Sequence, residues 1–329
     1  NIIFQGASLA AATPGNIVSA ATAATPVYAS ANSGSVMTGP DATHTLNWAG
    51  AMTASNGYIS LSGNSVVSGL MTASGASGGL VLNGAGTYNL SNTSNNISTV
   101  AASIGTSSLT LVNGSSLSVG TVNSITGITA GAVTLTAAGL TGSANITPSS
   151  SSAITVNNSS GSYEYSGILS GATTISKSGA GTQTLSGTNT YTGATTISAG
   201  TLKLGNASAL GSTTGGTSIT SGAVLDLNGV NYTSAEGLTI NGTGISTGGA
   251  VINSSATGAT YAGLLTLGSD SSIVGGSGSI ALSNSGTISG AYGLTLGGSA
   301  GGSVTSIIGT STGSLTKTGS GTWTLNGVN

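Results

Sequence analysis

The chain has 329 residues, 57 of them Gly, with three lysines, five acidic residues and no arginine, so 2% of it is charged where a soluble globular protein carries roughly 25%. Such a chain is poorly suited to nucleic acid, which needs clustered Lys and Arg with stacking aromatics, because Lys177, Lys203 and Lys317 lie far apart and aromatics make up only 4%. It has no cysteine, which removes disulfides, thiolate metal sites and thiol nucleophiles together.

Low charge combined with abundant Val, Ile and Leu argues for ordered structure over disorder. Residues 45–163 carry no Lys, Arg, Asp or Glu, yet Gly, Asn and Ser interrupt them every few positions, so they lack the continuous apolar run of a membrane helix. The thin aromatic content also lacks the two girdles of an outer-membrane barrel. There is no initiator Met or apolar leader at Asn1, and the expectation is that any leader was removed or lies outside this sequence.

In chain order, residues 1–40 are rich in Ala and Thr and interrupted by Pro14, Pro26 and Pro40, which reads as an irregular N-terminal arm or cap of the kind a solenoid end needs. Residues 41–148 read as a less regular β-solenoid, and 149–329 as a cleaner one, with a change of regularity at the Ser run 149–152 and one continuous solenoid throughout. Short alternating strands closed by Gly are predicted at 80–84, 132–136, 201–205, 223–229, 238–242, 264–268 and 294–297, and no segment keeps a helical period. Strands this short, turned by residues that tolerate positive φ, suit an all-β chain that stacks each strand on the one a coil earlier, a parallel β-solenoid (parallel β-helix). A Greek-key sandwich is the alternative, and it needs longer strands and more aromatic core residues.

The sequence repeats itself. Residues 175–189 align without gaps on 315–329, with Lys177, Gly179, Gly181, Thr182, Leu185, Gly187 and Asn189 matching Lys317, Gly319, Gly321, Thr322, Leu325, Gly327 and Asn329. A fainter copy begins at Asn83, with Gly84, Gly86, Thr87 and Leu90 in the corresponding places. The two spacings fit a coil of about 23.5 residues, within the range of stacked solenoid repeats.

The run from Ile175 to Leu202, with Tyr191 and Gly193 extending the pattern, resembles the autotransporter-associated β-strand repeat, or passenger-associated transport repeat. The resemblance implies a right-handed parallel β-helix in an exported passenger or other large surface protein of a Gram-negative-type bacterium, where such repeats support secretion and form stalks. Two departures accompany it: nothing here resembles the family's translocating barrel, and the final copy stops at Asn329, where the Tyr-x-Gly arm should follow. The expectation is either a fragment of a longer passenger or strands supplied from elsewhere.

Candidate chemistry is sparse. Gly-x-Ser-x-Gly occurs at Gly75–Gly79 and Gly297–Gly301, but the motif needs a strand-to-helix elbow, so both read as turns. The single His44 alternates onto one face with Leu46 and Trp48 and reads as a structural histidine. Asp41, Glu164, Asp226, Glu236 and Asp270 are spread along the sequence; stacking brings distant residues together, so a glycosidase-like pair stays open, though Asp226 between Leu225 and Leu227 looks like an outward residue of a solvated strand. The tyrosines read as solenoid-rim residues, with a sugar-contacting surface as the alternative. The Thr-x-Thr pairs at 43–45, 182–184 and 322–324 make a poor ice-binding array.

The sequence therefore points to a non-enzymatic, extracellular or cell-surface structural β-solenoid without cofactor or metal. It is expected to be a subunit of a surface fibre, filament or biofilm matrix, with self as partner in head-to-tail assembly through Ile2, Ile3 and Phe4 at one end and Leu325 and Val328 at the other. The alternative is a monomeric passenger, an adhesin or stalk that binds glycans or cell surfaces. The chain itself is expected neither to span a membrane nor to bind nucleic acid.

Overall fold

In the computed structural model, residues 45–54, 57–75 and 78–328 are described, with side chains from Trp48 onward, together with the backbone of four short strands at 8–11, 17–19, 28–31 and 36–38. The chain forms two compact units, residues 1–155 with 166–172, and residues 156–165 with 173–329. Each is a parallel β-solenoid. The only helical element among the described residues is a 3-10 turn, Ile245–Thr247, and no helix is long and apolar enough to cross a membrane.

In the first unit three strands per coil form three ladders. One runs through Met52–Ala54, Met71–Ala73 and Asn96–Ile97. A second joins Tyr58–Ser62, Gly79–Asn83 and Thr99–Ser103, so that Ile59, Leu80 and Val100 stack in one inward row and Leu61, Leu82 and Ala102 in the next. All six are essentially buried, and each buried aliphatic side chain contributes about 1.5–3 kcal/mol. Alternation sends the intervening residues outward. The outward Val81 and Ala101 are themselves buried, however, because the hairpin Thr121–Val122/Ile125–Thr126 folds over them and packs Val122 against both. Its two-residue turn, Asn123 and Ser124, has positive φ at both positions, the geometry that matches strand twist.

Asparagines close the coil corners. Asn95 Oδ1 accepts from Met71 N at 2.9 Å while its Nδ2 donates to Val112 O at 3.0 Å. Asn113 accepts from Ile97 N at 2.9 Å and donates back to Ile97 O at 3.1 Å. Buried backbone groups that leave the ladder at a bend are satisfied this way.

The second unit keeps three ladders. Thr173–Ser178, Thr195–Ile197, Thr217–Ile219 and Leu238–Gly242 pair in parallel. Ser162–Tyr165, Thr182–Leu185, Gly200–Leu204, Ala223–Asp226 and Val251–Ile252 form the second ladder. Asn231–Tyr232, Ala259–Tyr261, Ile280–Leu282, Gly302–Val304 and Trp323–Leu325 form the third. Coil length is uneven: 20 residues separate Ile175 from its partner Thr195, and 27 separate Leu238 from Leu265. The regular period expected from the repeats is therefore an average, because loops absorb the excess while strand register is kept.

Candidate functional site

The repeat at 175–204 builds the most specific constellation in the chain. Strand Thr173–Ser178 alternates inward and outward, which aims position 177 into the core, and Lys177 is 0% exposed. No acid meets it. Gly179 follows in a left-handed conformation, φ +74°, with a Cβ at this position lying 2.2 Å from Asn158 O; only glycine turns here without strain. Lys177 Nζ donates to Ser178 O and Gly179 O beside this turn, both at 2.8 Å, and to Ala199 O of the next coil at 3.1 Å. Three donors thus meet three carbonyls. Burial pushes the amine down to about 8, since a buried ammonium is penalised relative to the neutral form.

The rest of the motif assembles around this cage. Gly181 lies against Asn158, whose Oδ1 would sit 2.4 Å from a Cβ there, and Asn158 Nδ2 donates to Thr182 O at 2.9 Å. Leu185 and Gly187 are buried and Thr182 is half-buried on the outer face. Asn189 Nδ2 donates to Ala209 O at 2.7 Å. Tyr191 is fully buried, with its hydroxyl 2.7 Å from Thr195 Oγ1, and Gly193 N donates to Thr173 O at 3.1 Å.

In the second copy Lys317 makes the same two local bonds, to Thr318 O at 2.8 Å and Gly319 O at 2.7 Å, and Gly319 again has positive φ. Gly321 N donates to Gly298 O at 2.9 Å. Thr322, Leu325 and Val328 are exposed and Gly327 is half-buried; Asn329 lies outside the described residues, as do Ile2, Ile3 and Phe4. The position corresponding to Lys177 in the faint copy is Leu82, yet the same two carbonyls are still capped: Tyr88 Oη donates to Asn83 O at 3.0 Å and to Gly84 O at 2.9 Å. The glycine turn thus keeps its inward carbonyls satisfied by either a lysine before it or a tyrosine after it.

A second cluster escaped the sequence reading. Glu236, 1% exposed, accepts Thr217 Oγ1 at 2.6 Å and Tyr232 Oη at 2.5 Å, and its main-chain oxygen accepts Tyr261 Oη at 3.0 Å. Tyr232 and Tyr261 stack with centroids 5.4 Å apart. Burial holds the Glu236 carboxyl above its ordinary range, with the Thr217 and Tyr232 bonds opposing; burial also raises Tyr191, Tyr232 and Tyr261. Tyr88, Tyr165, Tyr191, Tyr232 and Tyr261 are all fully buried, so these five are core residues and not rim residues. The phenols of Tyr88, Tyr191, Tyr232 and Tyr261 each meet a carbonyl, hydroxyl or carboxylate, which makes tyrosine acceptable in a thin core.

Asp226 corrects another expectation. It is buried although it stands on the outer row, because Ser254 N and Asn228 N both donate to Oδ1 and Ser254 Oγ donates to Oδ2 at 2.6 Å. Lys203 Nζ lies 3.8 Å from the same carboxylate. Glu164 shares this row, with Thr184 and Lys203 standing between it and Asp226. Three rungs at ~4.8 Å separate the two carboxyls by about 14 Å, beyond the roughly 5–9.5 Å of a glycosidase pair. His44 and Asp41 lie outside the described residues. Among the described residues no three His, Cys, Asp or Glu side chains group as metal ligands.

The family model of the passenger-associated-transport-repeat matches residues 175–204 and 315–329, the two segments that carry the lysine cage. No curated protein and no solved structure matches this chain.

Proposed function

We propose that this chain, a β-solenoid carrying two passenger-associated-transport-repeats, is a non-enzymatic structural element of an exported bacterial surface fibre or matrix that grows by stacking coil on coil. The observation carrying this reading is the contrast between the two repeats. Under the coil that follows them, Ile175 and Leu185 are 4% and 2% exposed, whereas Leu315 and Leu325 are 45% and 41% exposed. A further coil seated on 315–328, whether from a continuing chain or from a second copy, would bury those leucines and bring Lys317 the third carbonyl that Ala199 gives Lys177. Its ladder would extend through unpaired strand edges, the route by which sheets add chains.

Electron microscopy and light scattering on the secreted chain test the assembly. Unbranched filaments that are lost on Leu325→Lys are expected; particles of single-chain mass at every concentration would overturn the fibre reading. A second reading, a stalk with adhesive surface, is favoured by the polar groove beside Lys203.

A further inference from the structure

One outer face of the second unit concentrates what the rest of the chain lacks. Of eight charged residues in the sequence, Glu164, Lys203 and Asp226 line a single open groove of about 580 Å³, with Ser162, Thr182, Thr184, Thr201, Asn228 and Ile252. Register explains the clustering: Glu164, Thr184, Lys203 and Asp226 occupy one row across four coils, and Ser162, Thr182 and Thr201 the parallel row two residues earlier. The charged groups are held in place. Ser186 Oγ donates to Glu164 Oε1 at 2.6 Å, and Lys203 is fixed between Asp226 and Ser254. The hydroxyls of Thr182, Thr184 and Thr201, by contrast, make no hydrogen bond to the described protein and face the groove.

We infer that this groove binds a neutral, extended polysaccharide lying along the stacking direction. Elimination by chemistry leads there. A polyanion needs uncompensated cations, but the lone ammonium is paired with Asp226 and Glu164 leaves the site with a net negative charge. A lipid or an amphipathic peptide needs an apolar floor, and this floor is a grid of threonine hydroxyls. An added strand needs an open sheet edge, whereas this is the face of a sheet whose backbone is already paired. Sugar hydroxyls, which both donate and accept, match free threonine hydroxyls, one carboxylate acceptor and one ammonium donor. The rungs recur at ~4.8 Å, close to the advance of one pyranose in a flat ribbon, so consecutive sugars meet consecutive coils. No aromatic ring lines the groove, so single-site affinity is about millimolar, and useful avidity comes from many copies on one surface. The inference does not depend on the fibre reading: a chain that stays monomeric but binds sugar here upholds it.

The test is a ligand-observed NMR titration of the intact chain with cellohexaose. Binding is expected in the millimolar range, weakened about tenfold or more in the triple variant Thr182→Val, Thr184→Val, Thr201→Val, at roughly one hydrogen bond per threonine. Circular dichroism checks that this variant folds, and Glu164→Gln, at the carboxylate that accepts from Ser186 Oγ, gives an independent and smaller loss. No saturation transfer up to about 10 mM, undiminished binding by both folded variants, or tighter binding of dextran sulfate than of cellohexaose would each overturn it.

Discussion

Residues 175–189 and 315–329 share their glycine turn and lysine, yet one copy is core and the other is surface. At Lys177 the coil carrying Ala199 closes over the amine, and burial follows for Ile175, Leu185 and Lys177 alike. At Lys317 the two local carbonyl bonds persist unchanged, while Leu315 and Leu325 stay exposed. The local turn is therefore encoded within the repeat itself, and the stability it confers comes from the neighbouring coil, as expected of a solenoid whose energetics are nearest-neighbour sums.

The difference predicts unequal responses to equal substitutions. Lys177→Met strands three carbonyls in the core and should cost about 3 kcal/mol, while Lys317→Met, at an exposed position, should stay within about 0.5 kcal/mol; denaturant midpoints of the two variants measure this. Leu185→Ala should likewise cost about 2–4 kcal/mol against less than about 1 kcal/mol for Leu325→Ala, by the same assay. Equal losses within either pair would break the comparison.

The amine of Lys177 adds a pH signature. Its folded-state value, about 8, lies below the ordinary 10.5, so between those limits the unfolded chain binds a proton that the folded chain does not. Stability should therefore rise with pH from about 8 and be lost as pH falls through that value, by about 2 kcal/mol up to pH 10. Above about 10 the buried tyrosines, raised by burial, reverse the trend, because the folded chain then holds protons that the unfolded chain releases. The rise should vanish in Lys177→Met and persist in Lys317→Met, as thermal melts across this range would show. A similarly small effect belongs to Lys203, partly exposed beside Asp226: Lys203→Met should cost below about 1 kcal/mol, a cost that added salt reduces further.

Much of this was legible in the residues. Gly and Asn at strand ends, alternation over short runs and the Lys-x-Gly-x-Gly copies led to a parallel solenoid, because backbone turns and register are local properties. What the sequence hid depends on the neighbouring coil. The burial of Lys177 shows only once the carbonyls beside Gly179 and from Ala199 are seen to surround it. Asp226 reads as solvated until Ser254, 28 residues on, is folded against it. Glu236 and its tyrosines come from separate coils of uneven length, and the hairpin at 121–126 covers Val81 and Ala101, which alternation alone sends to solvent.

The most direct test labels the three lysines of the native chain with an amine-reactive ester at neutral pH and follows each by mass spectrometry. Lys317 and Lys203 should react readily and Lys177 only on unfolding. Labelling of Lys177 at the rate of Lys317, under conditions where the chain stays folded, would contradict the claim that the following coil turns an exposed repeat into a sealed one.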